Sequence, residues 1–439
     1  MTPTRNGGLN NGIRMGRRAS LRAGALGVLS VLRGSPLAAQ QTGTSTSIPP
    51  SILALTSMQR TVKPISREER EARIARAQQL MTEHEMDAIL LAGGTSLSYF
   101  TGMRWGNSER LFAALIPAKG KAFCVCPSFE EERAKEQLNR GPLEGADVLT
   151  WHEDESPYRQ VAARLKSLSH SSTVLGIEER TPWVFSEGVS TAAPTLRLVS
   201  ATPVTAGCRM IKSEHELQLM SIANQATLKV YEAVYHALQP GMTQADASAF
   251  ISAGYARVGF RGEASVEVGP YSALPHGSTT PQTIRENMIV MIDDGCLVEG
   301  YNSDITRTFV LGKATDKMKR AFEIVKRAQS AALAAARPGV ECQAVDAAAR
   351  SVIIDAGFGP GYSFFSHRVG HGIGLDGHEW PYLVRGNRLP LQSHMTFSDE
   401  PGIYIRGEFG MRLEDDMHIT DDGAQLFTPQ SPSLEHPFG

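Results

Sequence analysis

The sequence predicts two unequal folded parts: an α/β amino-terminal domain and a larger α+β domain made of two similar halves. Three observations carry this. Between residues 65 and 200, short apolar runs bounded by turn residues alternate with stretches of helical periodicity, the pattern of strands and helices packed in layers. Further on, a long helical pattern, a Pro-Gly stop, a shorter helical pattern and a Gly-Phe pair occur in that order twice. The first set has Pro240-Gly241 and Gly259-Phe260; the second, about 98 residues later, has Pro338-Gly339 and Gly357-Phe358. Third, the apolar run 288–292 delivers an acid, Asp293, at the end of a buried strand, where a carboxylate is costly unless paired or bound to a metal.

A chain of 439 residues is long enough for two or three domains. Composition is ordinary for a soluble protein, at 41% hydrophobic and 21% charged residues. The formal net charge of −2 hides an asymmetry, because residues 1–67 contain no Asp or Glu. Removing 1–39 takes away six of the 44 Lys and Arg, leaving 38 against 46 acids, a balance of −8 that argues against nucleic-acid binding. In the basic head, Arg17-Arg18 precedes an apolar run at 23–32 and small residues at Leu37-Ala38-Ala39. That run is too short to cross a bilayer, so 1–39 reads as a signal segment of twin-arginine type, with export to the periplasm as the expected destination. If the head is only a basic tail, the protein is cytoplasmic. No later run suits a membrane helix. Residues 40–64, rich in Ser, Thr, Gln and Pro, are expected to be a linker.

The first domain, 65–207, opens with a capping box at Ser66-Arg67-Glu68-Glu69 and a helix ending near Met86. A buried strand at 88–92 and a hairpin from 111–116 and 121–126 follow. Helix (129–138), strand (147–151), helix (158–168), strand (173–178) and helix (183–189) then alternate. Cys124 and Cys126 share one face of a strand, and all five cysteines are expected to be free thiols. Arg104, Trp105, Glu109 and Arg110 lie in a Gly-bearing loop that reads first as solvated, though it could reach a neighbouring site.

The second domain, 208–439, starts its first long helix at a second capping box, Ser213-Glu214-His215-Glu216. Thr243 caps the next helix, and the second pair covers 315–337 and 344–356. Each pair is followed by a loop with a histidine, His276 and His371. The runs 288–292 and 305–311 form a hairpin that places Asp293 and Asp304 at adjacent strand ends. A site between two such halves would draw residues from both. Its candidate ligands are Asp293, Asp304, His371, Glu400 and Glu414. Four clustered carboxylates repel one another unless cations neutralise them, and one imidazole with four carboxylates suits Mn²⁺, Co²⁺, Fe²⁺ or Zn²⁺. Two such ions can activate a water and polarise a carbonyl. A P-loop, a Gly-x-Ser-x-Gly elbow, a dinucleotide fingerprint and a helical His-Glu-x-x-His motif are all missing.

The ordered set, in its local contexts Ile292-Asp293-Asp294-Gly295, Gly300 through Thr308, Gly370 through Gly374, Glu400-Pro401-Gly402-Ile403-Tyr404 and Arg412-Leu413-Glu414-Asp415, resembles the metallopeptidases that include methionine aminopeptidase, aminopeptidase P and prolidase. Arg209-Met210-Ile211-Lys212-Ser213 looks like the run that opens their catalytic domain, and Tyr99-Phe100-Thr101-Gly102 resembles the amino-terminal domain of the prolidase, aminopeptidase P and creatinase branch. The resemblance covers roughly 65–430 and implies the "pita-bread" fold. It also implies two metal ions, manganese foremost, on Asp293, Asp304, His371, Glu400 and Glu414, with Asp304 and Glu414 bridging. Glu400 inherits the role of general base. His276 and His378 match histidines that position substrate and stabilise the tetrahedral intermediate, and His367, Tyr404 and Arg412 match pocket residues of the Xaa-Pro branch. Creatinase shares the fold without this full ligand set.

The implied activity is hydrolysis of Xaa-Pro bonds in peptides with proline second, by a homodimer or homotetramer. An Xaa-Pro dipeptidase is favoured over an aminopeptidase P acting on longer peptides. A dimethylsulfoniopropionate lyase and a metal-free binding protein are the remaining alternatives of the same fold. A dipeptidase needs a cation for the substrate's free carboxylate. Arg412 and His378 are the candidates near the metals, with Arg104 or Arg110 closing the far side; Arg412 could equally form an internal ion pair with a carboxylate ligand.

Overall fold

The computed structural model describes residues 47–167 and 173–439, so the signal segment expected at 1–39 lies outside the described residues. Where a linker was expected, the chain forms a strap. Helix α1 (Pro50–Leu53) buries Ile52 completely in the apolar cluster that also holds Val230, Tyr231, Ile251 and Tyr255 of the second domain. Ser51 Oγ donates to the Ala233 carbonyl (2.7 Å), Arg257 to that of Leu53 (2.7 Å), and the Met58 N–H to that of Val258 (2.8 Å). Composition read as linker because the segment is polar; one well-placed isoleucine is enough to anchor it.

The first domain is a six-stranded mixed sheet in the order β4-β3-β2-β1-β5-β6. Its strands are β1 (Ala88–Ala92), β2 (Ala113–Pro117), β3 (Phe123–Pro127), β4 (Asp147–Trp151), β5 (Val174–Ile177) and β6 (Arg197–Ser200). The expected hairpin is β2 on β3, antiparallel, while β4, β5 and β6 join through parallel pairings. Central strands β1, β2 and β3 are buried throughout, so they read as unbroken apolar runs. Helices α2 (Arg67–Glu83), α3 (Thr95–Thr101), α4 (Glu131–Leu138), α5 (Pro157–Lys166), α6 (Trp183–Ala192) and α7 (Thr202–Arg209) surround it. Ser66 and Glu69 form the reciprocal capping box that the sequence shows. Three elements were not read: α3, seven residues rich in β-branched and aromatic side chains, and the short, half-exposed β6 with α7 after it. All five cysteines are free and buried.

In the second domain, α8 (Glu214–Tyr235) and α9 (Gln244–Val258) begin at Ser213 and Thr243, each with a complete capping box, and α9 stops at Gly259 with φ +88°. The second pair is α10 (Asp316–Ala335) and α11 (Cys342–Asp355). Between the pairs lie β7 (Arg261–Gly262), β8 (Ser265–Val268), β9 (Ile289–Asp293), β10 (Cys296–Val298), β11 (Tyr301–Asn302) and β12 (Arg307–Val310). After them come β13 (Gly370–Gly372), β14 (Glu379–Leu383), β15 (Thr396–Asp399), β16 (Gly402–Ile405), β17 (Phe409–Arg412), β18 (Asp415–Ile419) and β19 (Ala424–Leu426). The first half contributes a β12-β9-β8 sheet and a small β11-β10-β7 sheet. The second contributes β14-β13-β15-β18-β19 and the β16-β17 ribbon. Each half thus packs a helix pair against antiparallel strands, the architecture the repeated pattern implies. His371 is on strand β13, not in a loop. No described helix is long and apolar enough to cross a membrane.

The strap yields a stability test. Ile52→Ala is expected to cost about 2–5 kcal/mol, as for other fully buried Ile or Leu truncations, with kcat unchanged. A shift in the denaturation midpoint measures it; an unshifted midpoint would return 48–64 to the status of a linker.

Candidate metal centre

Strand register brings the acids together. In the β9–β12 pair, Ile292 faces Arg307, so Asp293 and Thr306 are the next residues along and meet at the strand ends. In the β15–β18 pair, Asp399 faces Asp415, and the residues just beyond are Glu400 and Glu414. Two antiparallel pairs, one from each half, therefore present their terminal acids to the same space. Asp294 turns the chain between Asp293 and Asp304 with φ +126°, a conformation that L residues rarely adopt. Its carbonyl accepts from Tyr231 Oη (2.9 Å) and the Ile305 N–H (3.1 Å).

His371 reaches the space because glycine flanks it. A Cβ at Gly370 would lie 2.0 Å from the Ser398 carbonyl oxygen, and one at Gly372 would lie 2.5 Å from that of Glu379. The close backbone approach anticipated for this run is therefore obligatory. The Nδ1–H of His371 donates to the Gly372 carbonyl (3.2 Å), which leaves Nε2 as the free acceptor, 3.4 Å from Glu400 Oε1 and 3.8 Å from Asp304 Oδ2.

The five expected ligands converge. Asp293, Asp304 and Glu414 offer ligand atoms within 4.8 Å of one another, as do His371, Glu400 and Glu414, and as do Asp304, His371 and His378, the histidines through a ring nitrogen. Glu414 belongs to both principal groups and Asp304 touches both sides, the arrangement of two adjacent cation sites with shared carboxylates. They line a pocket of about 420 Å³ together with Pro275, His276, Asp294, His367, Arg368, Gly377, His378 and Arg412.

Electrostatics argue that the donor set is built for cations. Burial, then Asp293 and other nearby acids, pushes Asp304 well above the usual carboxylate range; burial, then Asp304 and Glu400, does the same to Glu414. Burial outweighs Arg412 and is reinforced by Asp293, lifting Glu400 to about 8. Asp293 alone is held low: Arg412 and the Thr306 hydroxyl together overcome its burial. Thr306 Oγ1 lies 2.5 Å from both Asp293 Oδ1 and Glu414 Oε2, yet a hydroxyl has one hydrogen to donate. Two unit charges 4 Å apart still repel by about 4 kcal/mol at an effective dielectric constant of 20. Four carboxylates around one committed guanidinium fit a pair of divalent cations.

The other expected site residues divide into two kinds. Arg412, 3% exposed, donates to Asp293 Oδ2 (2.5 Å), Thr306 Oγ1 (2.9 Å), Tyr404 Oη (2.9 Å) and the Pro275 carbonyl (3.0 Å). Of the two roles left open for it, the structure has the internal ion pair with Asp293. Tyr404 Oη in turn donates to His367 Nε2 (2.7 Å), and His367 Nδ1–H donates to the Arg368 carbonyl (2.8 Å). Burial and Arg412 push His367 down to about 3, so it is a neutral link in this chain. His276 and His378 instead stand exposed at the rim, His378 stacked on His371 with ring centroids 3.6 Å apart. Arg104 and Arg110 do not line the pocket; Arg110 pairs on the surface with Glu153 (2.7 Å).

Sequence reasoning missed three supports. Asp416 Oδ2 accepts from the Asp304 N–H (2.9 Å) and Asn224 Nδ2 (2.9 Å). Arg307, 1% exposed, pairs with Asp415 (2.6 Å) and donates to the Glu414 carbonyl (2.9 Å). Arg368 lines the pocket, its guanidinium over the Tyr382 ring at 4.4 Å. A buried-strand acid or arginine is visible in sequence; which partner it takes is not.

Removing metal should expose the repulsion. In metal-free protein Asp304, Glu400 and Glu414 hold protons that the unfolded chain has already released, so stability from them falls as pH rises toward about 8. His367 and His371, depressed to about 3, oppose this only below the ordinary histidine value of 6.5. The chelated protein should therefore melt at a lower temperature at pH 8 than at pH 6.5, and a divalent cation should raise the midpoint most at pH 8. A midpoint that climbs with pH over this window in chelated protein would contradict the assignment.

Comparison with known proteins matches this geometry. The model of "Metallopeptidase family M24" matches residues 218–421, and that of the "Creatinase/Prolidase N-terminal domain" matches 73–211. A probable dipeptidase PepE of Mycobacterium tuberculosis is 36% identical over 80% of this chain and 92% of its own length. An Xaa-Pro dipeptidase of Lactobacillus delbrueckii subsp. lactis is 32% identical over 82% of this chain and 97% of its own. The crystal structure of dipeptidase PepE from Mycobacterium ulcerans superposes with a TM-score of 0.79 at 33% identity, covering 85% of this chain and 99% of that one. Similarity of this extent, through both domains, makes the chain a member of metallopeptidase family M24.

Proposed function

We propose that this metallopeptidase is an exopeptidase that hydrolyses Xaa-Pro bonds with two divalent ions, manganese foremost, and that it is an Xaa-Pro dipeptidase. The observation that carries this reading is the convergence of Asp293, Asp304, His371, Glu400 and Glu414 from both halves on one pocket rimmed by His276 and His378. Names of the relatives support the dipeptidase reading, since one is named a probable dipeptidase and the other an Xaa-Pro dipeptidase. Bound at these ligands, the two ions would supply a nucleophilic water at neutral pH and a Lewis acid for the scissile carbonyl. The chain's own groups do the rest. Glu400, at the pocket wall beside the other ligands, is placed to take up and return a proton. His276 and His378 present imidazoles to the reacting carbonyl from the rim.

An Xaa-Pro bond is a tertiary amide with no N–H, so a site that gripped that N–H would fail on it. This pocket makes no such demand. Its lining contains two cations, and Arg412 is consumed by Asp293. Among the described residues, Arg368 pairs with no carboxylate, which makes it the donor of choice for the free carboxylate of a dipeptide. That bond separates Xaa-Pro from Xaa-Pro-Yaa.

Ala-Pro is accordingly expected to be cleaved faster than Ala-Pro-Ala or Ala-Pro amide, with activity lost to a chelator and restored by Mn²⁺. Arg368→Ala should reduce the preference for the free dipeptide by about tenfold or more, since a hydrogen bond to a charged group is worth about 1.5–3 kcal/mol. Equal or faster cleavage of the tripeptide would make the enzyme an aminopeptidase P.

The head of the chain supports export. Arg17-Arg18 before a ten-residue apolar run suits a pathway that carries folded, metal-loaded protein. Expressing the full chain should give a shortened product outside the cytoplasm, lost when both arginines become Lys; an unprocessed cytoplasmic product refutes the signal.

A further inference from the structure

The turn 375–378 carries His378 into the pocket, yet its anchors are mostly outside its own half of the catalytic domain. Arg180, in the first domain just after β5, donates Nη2 to the His378 carbonyl (2.9 Å) and pairs Nη1 with Asp376 (3.1 Å). Asp376 also accepts from Thr95 Oγ1 (2.7 Å) at the start of α3 and from Arg209 (2.6 Å) at the end of α7. Arg209 continues to Glu379, whose other oxygen takes Lys212 Nζ (2.8 Å). Beyond the turn, Trp380 Nε1 donates to Glu179 (2.9 Å), again in the first domain.

Lys212 and Glu379 are almost fully buried, and Arg209 and Asp376 nearly so. Such a network is a poor source of stability, because desolvating the ions cancels much of their attraction; apolar packing would do as well. What directional, charge-assisted bonds supply is one geometry. Most of these bonds end on the turn that holds His378 or on Glu379 just after it, while Arg209 also donates to Ser96 Oγ (3.3 Å). Arg209 and Lys212 are the charged residues of the run that opens the catalytic domain, and the metal site itself leaves them without a role.

The tail of the network that touches His378 itself is Arg180. Its side chain is 54% exposed and forms no part of a core. The His378 ring lies flat on His371, 20° from parallel, so a shift of its backbone slides the imidazole across the ligand it covers. We propose that Arg180 is a positioning residue: through the His378 carbonyl and Asp376, the first domain holds the His378 imidazole at the reacting carbonyl. This rests on the reading of His378 as a group that contacts substrate.

The test is a double-mutant cycle on the manganese-loaded full enzyme with Ala-Pro. Arg180→Ala should lower kcat about tenfold or more, as small misplacements of a catalytic group do, with metal content and melting temperature unchanged. Arg180→Lys, which keeps charge but cannot bridge carbonyl and carboxylate together, should recover part of the loss. In a His378→Ala background, adding Arg180→Ala should change kcat by less than about twofold, because the group it positions is already gone. Full kcat in Arg180→Ala, or losses that multiply in the double variant, would overturn the proposal. Should His378→Ala itself be fully active, the reading of His378 falls and the proposal with it. A slow His378→Ala beside an unimpaired Arg180→Ala sinks the positioning role alone.

Discussion

The constraint on which this structure depends is mutual repulsion among Asp293, Asp304, Glu400 and Glu414 inside one pocket. None could be kept there by chance, since a buried carboxylate with no compensation is among the costliest features a fold can carry. The protein answers partly with Arg412, which spends every nitrogen of its guanidinium on the pocket wall. It answers also with a second layer: Arg307 on Asp415, Asn224 on Asp416, and Gln329 Nε2 on Asp415 Oδ2 (3.0 Å). These hold the neighbours of the ligands, so the ligands cannot swing apart. The net negative charge that survives is what two divalent cations are suited to cancel.

That compensation explains the two-halved fold. A single antiparallel pair can present two acids just beyond its strand ends, as β15 and β18 present Glu400 and Glu414. Four acids and an imidazole within ligand distance need two such pairs facing each other, and a helix pair behind each to keep the strands dry and in register. Register is the quantity protected: a one-residue slip of β18 against β15 would turn Glu414 away from Glu400 and aim Asp415 into the pocket. The fixed contacts of Asp415 with Arg307, Gln329 and Thr428 oppose that slip.

Much of this was legible in the sequence, for a physical reason. Strand-end acids are preceded by apolar runs that fix their position, and helix starts carry capping boxes at Ser66, Ser213 and Thr243 that pin boundaries to the residue. The glycines around His371 announced a close approach, and Gly370 and Gly372 make it against Ser398 and Glu379. What stayed hidden depends on long-range partners. Nothing local says that Ile52 plugs a core built nearly two hundred residues later, or that Arg412 is committed while Arg368 is not. Seven-residue α3 and the edge strand β6 lacked enough periodicity to register, being shorter than the windows over which pattern is informative.

The first domain shows the same division at larger scale. Its sequence offers no catalytic motif, and its sheet is filled with apolar side chains. Yet at the junction it gives Thr95, Glu179 and Arg180 to the catalytic half, meeting Asp376, His378 and Trp380. A metal pocket needs its ligands fixed by their own strands, because ligand distances tolerate only a few tenths of an ångström. An imidazole at the exposed rim, as His378 is, is placed differently: it is held firmly but from outside, leaving the mouth of the pocket open. A loop braced by a neighbouring domain meets that requirement where a strand buried in the metal site could not.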